Sequence, residues 1–208
     1  MKKIITISTL LIFFVIAVFT GYSYFASFSN VKFTFAKDVE EIKIYIDSND
    51  ESGDTLVATL QSSGEVRVSN GNYYIAPSGN NIITDKISIK ISGNTLVDID
   101  PNYSSKYLSS LVDSESNAII NVINKSLSPT IESYDIEQIK LYGKANWAGA
   151  LLVPKDVDTQ NPSGIHRVVL KNETGSWQVV GSPQIVMTMY NTGDVPLDIL
   201  KSVNDLVF

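Results

Sequence analysis

The chain is 208 residues long, 44% hydrophobic and 18% charged, the composition of folded domains rather than of a disordered polymer. Lys and Arg number 16 against 22 Asp and Glu. Because Lys2 and Lys3 stand apart at the N-terminus, the body is strongly acidic and repelled by phosphate, which excludes nucleic acid as a main partner. The absence of cysteine excludes disulfides, thiolate metal sites and a cysteine nucleophile.

No charged side chain occurs between Lys3 and Lys32. The run from Ile4 to Phe28 is long enough for a bilayer core, which needs about 20 apolar residues of helix. Its centre, LLIFFVIAVF, is apolar throughout, and Tyr22, Tyr24, Phe25 and Phe28 resemble an aromatic belt at the far interface. Residues 1–30 therefore read as a transmembrane signal-anchor. Lys2 and Lys3 keep the N-terminus cytoplasmic, so the body is expected outside the cytoplasm, as in a single-pass membrane protein. The alternative is a cleaved signal, cut after Ser29 with Ser27 at the third position before the cut. A lipid-modified cysteine is ruled out, since there is none.

Beyond residue 30 the period changes to two. VKFTF, EEIKIYID, GEVRVSNGNYYIA, KISIKIS and NTLVDID alternate apolar and polar residues between turns rich in Gly, Asn, Ser and Asp. Residues 31–102 are expected to form a small all-β sandwich of six or seven strands. The stretch GNYYIAPSGNN and the closing TLVDIDP strand resemble the PEGA-like and prealbumin-type β modules. That resemblance implies a non-catalytic envelope module for spacing or contact. The loop DSNDESGD at 47–54 gathers Asp47, Asp50, Glu51 and Asp54, the hard oxygen donors that Ca²⁺ takes. Its spacing departs from the EF-hand pattern, and a solvated hairpin tip accounts for it.

Residues 103–208 begin with a helical period. Leu108, Leu111, Val112, Ile119, Val122 and Ile123 form one apolar stripe, and Ser128-Pro129 ends it. Strands are expected around Ile136–Tyr142, at Trp147–Val153, in HRVVLKN and SWQVVGS flanking the turn NETG, and finally in QIVMTMY. A terminal helix is expected in VPLDILKSVNDLVF, with Leu197, Leu200, Val203 and Leu206 on one face. A helix followed by strands predicts an α+β domain with its long helix on an antiparallel sheet. The first helix, the WAGALL strand and the RVVLKNETGSWQVV hairpin are similar to cystatin and NTF2-like domains. Single-anchor proteins of secretion and conjugation machines carry such a domain, so that resemblance implies an accessory subunit as an alternative role.

No catalytic, cofactor-binding or metal-ligating residue is assigned. His166 is the one histidine, with no acid to orient it assignable from sequence. Ser88 and Lys90 form an S-x-K, too little for a Ser–Lys dyad. There is no G-x-S-x-G elbow, phosphate-binding loop or H-E-x-x-H. Trp147, Trp177, Tyr142 and Tyr190 are either core or the lining of a pocket. The polar loop PKDVDTQNPSG at 154–164 is a contact loop or a solvated connection. The expected function is a membrane-anchored, extracytoplasmic, non-enzymatic binding or scaffolding protein of the bacterial envelope. Its expected partners are the membrane and envelope proteins, with no cofactor. An enzyme with a pocket in the C-terminal sheet is the remaining alternative.

Overall fold

The computed structural model describes residues 27–47, 54–156 and 163–208. The chain divides into two compact units after Pro101.

The described part of the first unit contains seven strands in two sheets. They are β1 (Phe28–Phe35), β2 (Glu41–Ile46), β3 (Thr55–Leu60), β4 (Gly64–Ser69), β5 (Gly71–Ser78), β6 (Ile87–Ile91) and β7 (Thr95–Ile99). One sheet has the order β4-β1-β7, the other β3-β2-β5-β6. Period-2 alternation decides which side chains go inside. Val31 and Phe33, Ile42 and Ile44, and Tyr73 and Ile75 are buried, together with Val68, Ile91 and Ile99. β3, TLVATL, has no sequence expectation behind it. An extra residue, Val57, bulges it against β2, where Ile44 pairs with Ala58 but Tyr45 with Leu56. The bulge breaks the clean alternation and twists an uncharged edge strand.

The second unit is built on an antiparallel meander of order β11-β10-β9-β8. Its strands are β8 (Tyr134–Tyr142), β9 (Trp147–Pro154), β10 (His166–Glu173) and β11 (Ser176–Gln184). The β10–β11 loop is Thr174-Gly175, with φ of 52° and 86°, the positive pair that a type I′ hairpin requires. Helix α1 (Ser105–Leu127) crosses one face. The Ser104 side chain caps it by accepting from the Tyr107 amide at 3.4 Å, and Lys125 sits in its last turn, the favourable place for a cation. Leu108, Ile119 and Ile123 of α1 pack on Ala148, Ala150 and Leu152 of β9 and on Val168 and Leu170 of β10. The opposite face of the same strands presents Trp147, Leu151, Val153 and Val169. It is covered by the C-terminal segment, in which α2 (Met189–Thr192) precedes α3 (Leu197–Asn204). Met187, Val195, Ile199, Leu200, Val203 and Leu206 supply that cover. β9 is thus buried on both faces, from Trp147 to Val153 without a break. Burying each Leu, Val or Ile of this layer contributes about 1.5–3 kcal/mol.

Three sequence expectations are corrected. The first concerns overall class. A membrane-crossing helix, a sandwich and an α+β domain were expected in series, but the described chain is mostly strand, in three sheets with few helices. Period-2 patterns run through both units, whereas among the described residues a long 3.6-residue period occurs only in α1. The second concerns location. Among the described residues no helix is long and apolar enough to cross a membrane, so a single-pass, extracytoplasmic placement is not supported. Residues 1–26 of the expected anchor lie outside the described residues, and its far end is in a sheet. Phe28, Ser29 and Asn30 belong to β1 and pair with Ser69, Val68 and Arg67 of β4. Ser29 is buried and donates to Asn70 Oδ1, and the Arg67 guanidinium lies 5.3 Å from the centre of the Phe28 ring. Phe28 is therefore a strand residue, on the face of β1 opposite to Ser29, Val31 and Phe33. The third concerns QIVMTMY, which is not a strand. Gly181, at φ 72°, and Pro183 lie in an irregular stretch of β11, where the register with β10 shifts before Gln184 pairs with Arg167, and after Gln184 the chain turns into α2.

Gly149 sets how closely α3 approaches the sheet. A Cβ there would lie 2.7 Å from Val203 Cγ2 and 3.2 Å from Tyr142 Cε2. Gly149→Ala is expected to destabilise the fold by about 1–3 kcal/mol through overpacking. In denaturant unfolding, combining it with Val203→Ala should cost less than the two single changes added together. Strict additivity would show that the two residues are not in contact.

Candidate functional site

The C-terminal unit carries a cleft of about 340 Å³ at one end of the α1-covered face. It sits where α1 stops, the chain turns through a 3-10 segment (Thr130–Ser133) and β8 begins. Leu127, Ile131, Leu152 and Pro183 make its apolar lining, and Ser126, Ser128, Thr130, Tyr134 and His166 its polar lining. Register explains the assembly. His166 opens β10 opposite Leu152, and Tyr134 opens β8 opposite Pro154, so strand ends meet the helix end. The rings of Tyr134 and His166 pack edge to face, with centres 5.7 Å apart and planes at 81°. Among the described residues that contact, rather than a carboxylate, orients the imidazole. Among the described residues, no protein group hydrogen-bonds the side-chain polar atoms of these five residues. The carbonyl end of α1 adds acceptors and a negative pole.

A wider depression of about 700 Å³ lies near the other end of α1 and includes Asp113, Lys140, Tyr142, Ser202 and Asp205. Tyr142 closes it toward the core and donates its hydroxyl hydrogen bond to the Ser202 carbonyl at 3.2 Å, fastening α3 to β8. Burial, assisted by the Asp205 charge, pushes its pKa up to about 12.

The other residues weighed from sequence fall elsewhere. Trp177 is in the α1-side core and donates from Nε1 to Glu115 Oε2 at 2.8 Å. Trp147 is in the opposite core, with the Lys171 ammonium 5.6 Å from its ring centre. Tyr190 is fully exposed. Ser88 and Lys90 lie on the edge strand β6 and are not part of the cleft. Residues 48–53 of the acidic loop and 157–162 of the polar loop lie outside the described residues. Of the flanking acids, Asp54 pairs with Lys86, whose ammonium is 5.7 Å from the ring centres of both Tyr45 and Tyr74. The Asp47 charge, with burial, raises the Tyr74 pKa. Among the described residues no group of three or more His, Asp or Glu side chains could hold a metal.

Sequence reasoning found His166 but not its setting. Ser126 and Ser128 are at the helix end, Thr130 is in the 3-10 turn and Tyr134 opens β8, and of these only Ser128 drew notice in the sequence, as the end of the helix. The available signal was a Ser- and Thr-rich break, KSLSPT, between an apolar helix and a strand.

No protein-family model matches the chain, and no curated protein matches it. Among solved structures it is similar to a DUF3823 family protein from Bacteroides ovatus. That similarity has 14% identity over 73% of this chain and 97% of the other, with a TM-score of 0.27. A likeness of that size supports neither the PEGA-like nor the cystatin and NTF2-like resemblance.

Tyr142 gives a pH signature. Its folded pKa lies above the ordinary value near 10, so the unfolded chain gives up this proton first. Its contribution is present below about pH 10 and is lost as pH rises toward 12. Ultraviolet titration of the folded protein should show a late-ionising tyrosine that Tyr142→Phe removes. If the late phase persists in the variant, the assignment is wrong.

Proposed function

We propose that the chain is a non-enzymatic binding protein that holds a small ligand in the cleft at the end of α1. The observation that carries this reading is the cleft's lining, in which four hydroxyls and one imidazole border apolar side chains and, among the described residues, none of the five side chains hydrogen-bonds the protein. Unpaired polar groups at a concave apolar surface are what a ligand site presents. Catalysis by His166 would need an acid to orient it and a nucleophile or substrate within reach. The edge-to-face contact with Tyr134 instead holds the imidazole as part of a wall.

A library of neutral fragments, observed by amide NMR on the full chain, tests the reading. Binding is expected to shift the amides of Thr130, Ile131, Leu152 and His166 as one group. Filling the cleft from its exposed rim with Thr130→Trp, or separately Ser126→Phe, should abolish those shifts while the rest of the spectrum stays folded. Shifts scattered elsewhere, or unaffected by both filled variants, would overturn the reading.

A further inference from the structure

The geometry points to a specific ligand class for this cleft: a neutral, hydroxyl-bearing ring of single-sugar size. This rests on the binding role proposed above and goes further by fixing the ligand's charge, hydrogen-bonding type and size.

Charge is argued from the lining. Among the described residues that line the cleft there is no Lys, Arg, Asp or Glu. An anion would meet the carbonyl pole of α1, which disfavours negative charge. A cation would find carbonyl acceptors but no carboxylate, and desolvating an ammonium without a paired charge is costly. A neutral ligand meets neither penalty.

Hydrogen-bonding type follows from the donors and acceptors. Ser126, Ser128, Thr130 and Tyr134 each carry a hydroxyl that can both donate and accept, and neutral imidazole offers one of each. The carbonyl end of α1 only accepts. The complementary ligand group must therefore donate to the carbonyls and exchange both roles with hydroxyls. A ring hydroxyl does so, whereas a ketone or ether only accepts. Leu127, Ile131 and Leu152 then take the C–H face of the ring, and the Tyr134 and His166 rings wall it laterally.

Size follows from the volume. About 340 Å³ is near the lower end of ligand pockets, roughly 300–1,000 Å³. It accommodates one six-membered ring with its substituents rather than a chain of them.

The test is a titration of the full chain, followed by NMR, with methyl β-D-glucopyranoside, methyl β-D-galactopyranoside and myo-inositol. Glucuronate and glucosamine serve as charged counterparts and tetrahydropyran, an ether that only accepts, as a ring without hydroxyls. At least one neutral polyol should shift the cleft amides and bind about tenfold more tightly than its charged counterparts. Thr130→Val and Ser126→Ala should each weaken it about three- to tenfold while leaving unfolding curves unchanged. The ligand class is wrong if a charged compound binds more tightly, or if tetrahydropyran binds equally well and ignores the hydroxyl deletions. In those cases the cleft remains a binding site and the proposed function survives. If neither these compounds nor the neutral fragments perturb the cleft, both proposals fall together.

Discussion

The C-terminal unit depends on one strand that is buried on both faces. β9 sends Ala148, Ala150 and Leu152 toward α1 and Trp147, Leu151 and Val153 toward the C-terminal segment. A strand in that position must be apolar at every residue, because alternation with polar side chains would bury unpaired groups. It must also be thin where covering elements press closest. The alanines make room for α1, and Gly149 makes room for Val203 of α3. Everything else in the unit is arranged around that layer. The flanking strands pair with β9 or with β10, Tyr142 and Arg167 fasten the C-terminal cover, and the cleft opens where α1 runs out. Arg167 does its part by donating from Nη2 to the Leu206 carbonyl at 2.8 Å.

Much of this pattern was legible in the residues. The WAGALLV run has no polar residue, which marks a buried strand. The NETG turn with its flanking β-branched runs marks a hairpin, and the helical stripe from Leu108 to Ile123 marks α1. The two-sided cover was harder to see. α3 is eight residues long, and its buried set is Ile199, Leu200 and Val203, whereas Leu197, expected on the buried face, is exposed. A short helix has too few turns for periodicity to locate its inner face within one residue. QIVMTMY misled for a related reason. Its composition favours a strand, but Met187 is its one buried large apolar side chain, while Ile185, Val186, Met189 and Tyr190 are exposed. Tertiary context overrode local propensity.

The N-terminal unit teaches a similar lesson at its boundary. From sequence, Phe28 reads as the far end of the apolar segment, with the alternating strand beginning at Val31. Pairing with β4 decides for the strand. Local composition could not, because aromatic residues suit both a membrane interface and a half-buried sheet. The cleft was the least legible feature. Its polar residues come from a helix end, a turn and two strand starts, and only the fold brings them together. Residues doing capping and turn work are chemically the same as residues awaiting a ligand. What separates them is whether their hydroxyls are already hydrogen-bonded, and that is a property of the folded chain.

Amide hydrogen exchange on the full chain tests the two-sided sheet most directly. If β9 is the shared centre of two cores, the amides of Ala148 to Leu152 exchange only through global opening of the C-terminal unit. They should be its slowest, with Leu200 and Val203 of α3 strongly protected as well. Exchange of β9 as rapid as that of the edge strands β8 and β11, or a C-terminal segment exchanging like open coil, would contradict a sheet covered on both faces.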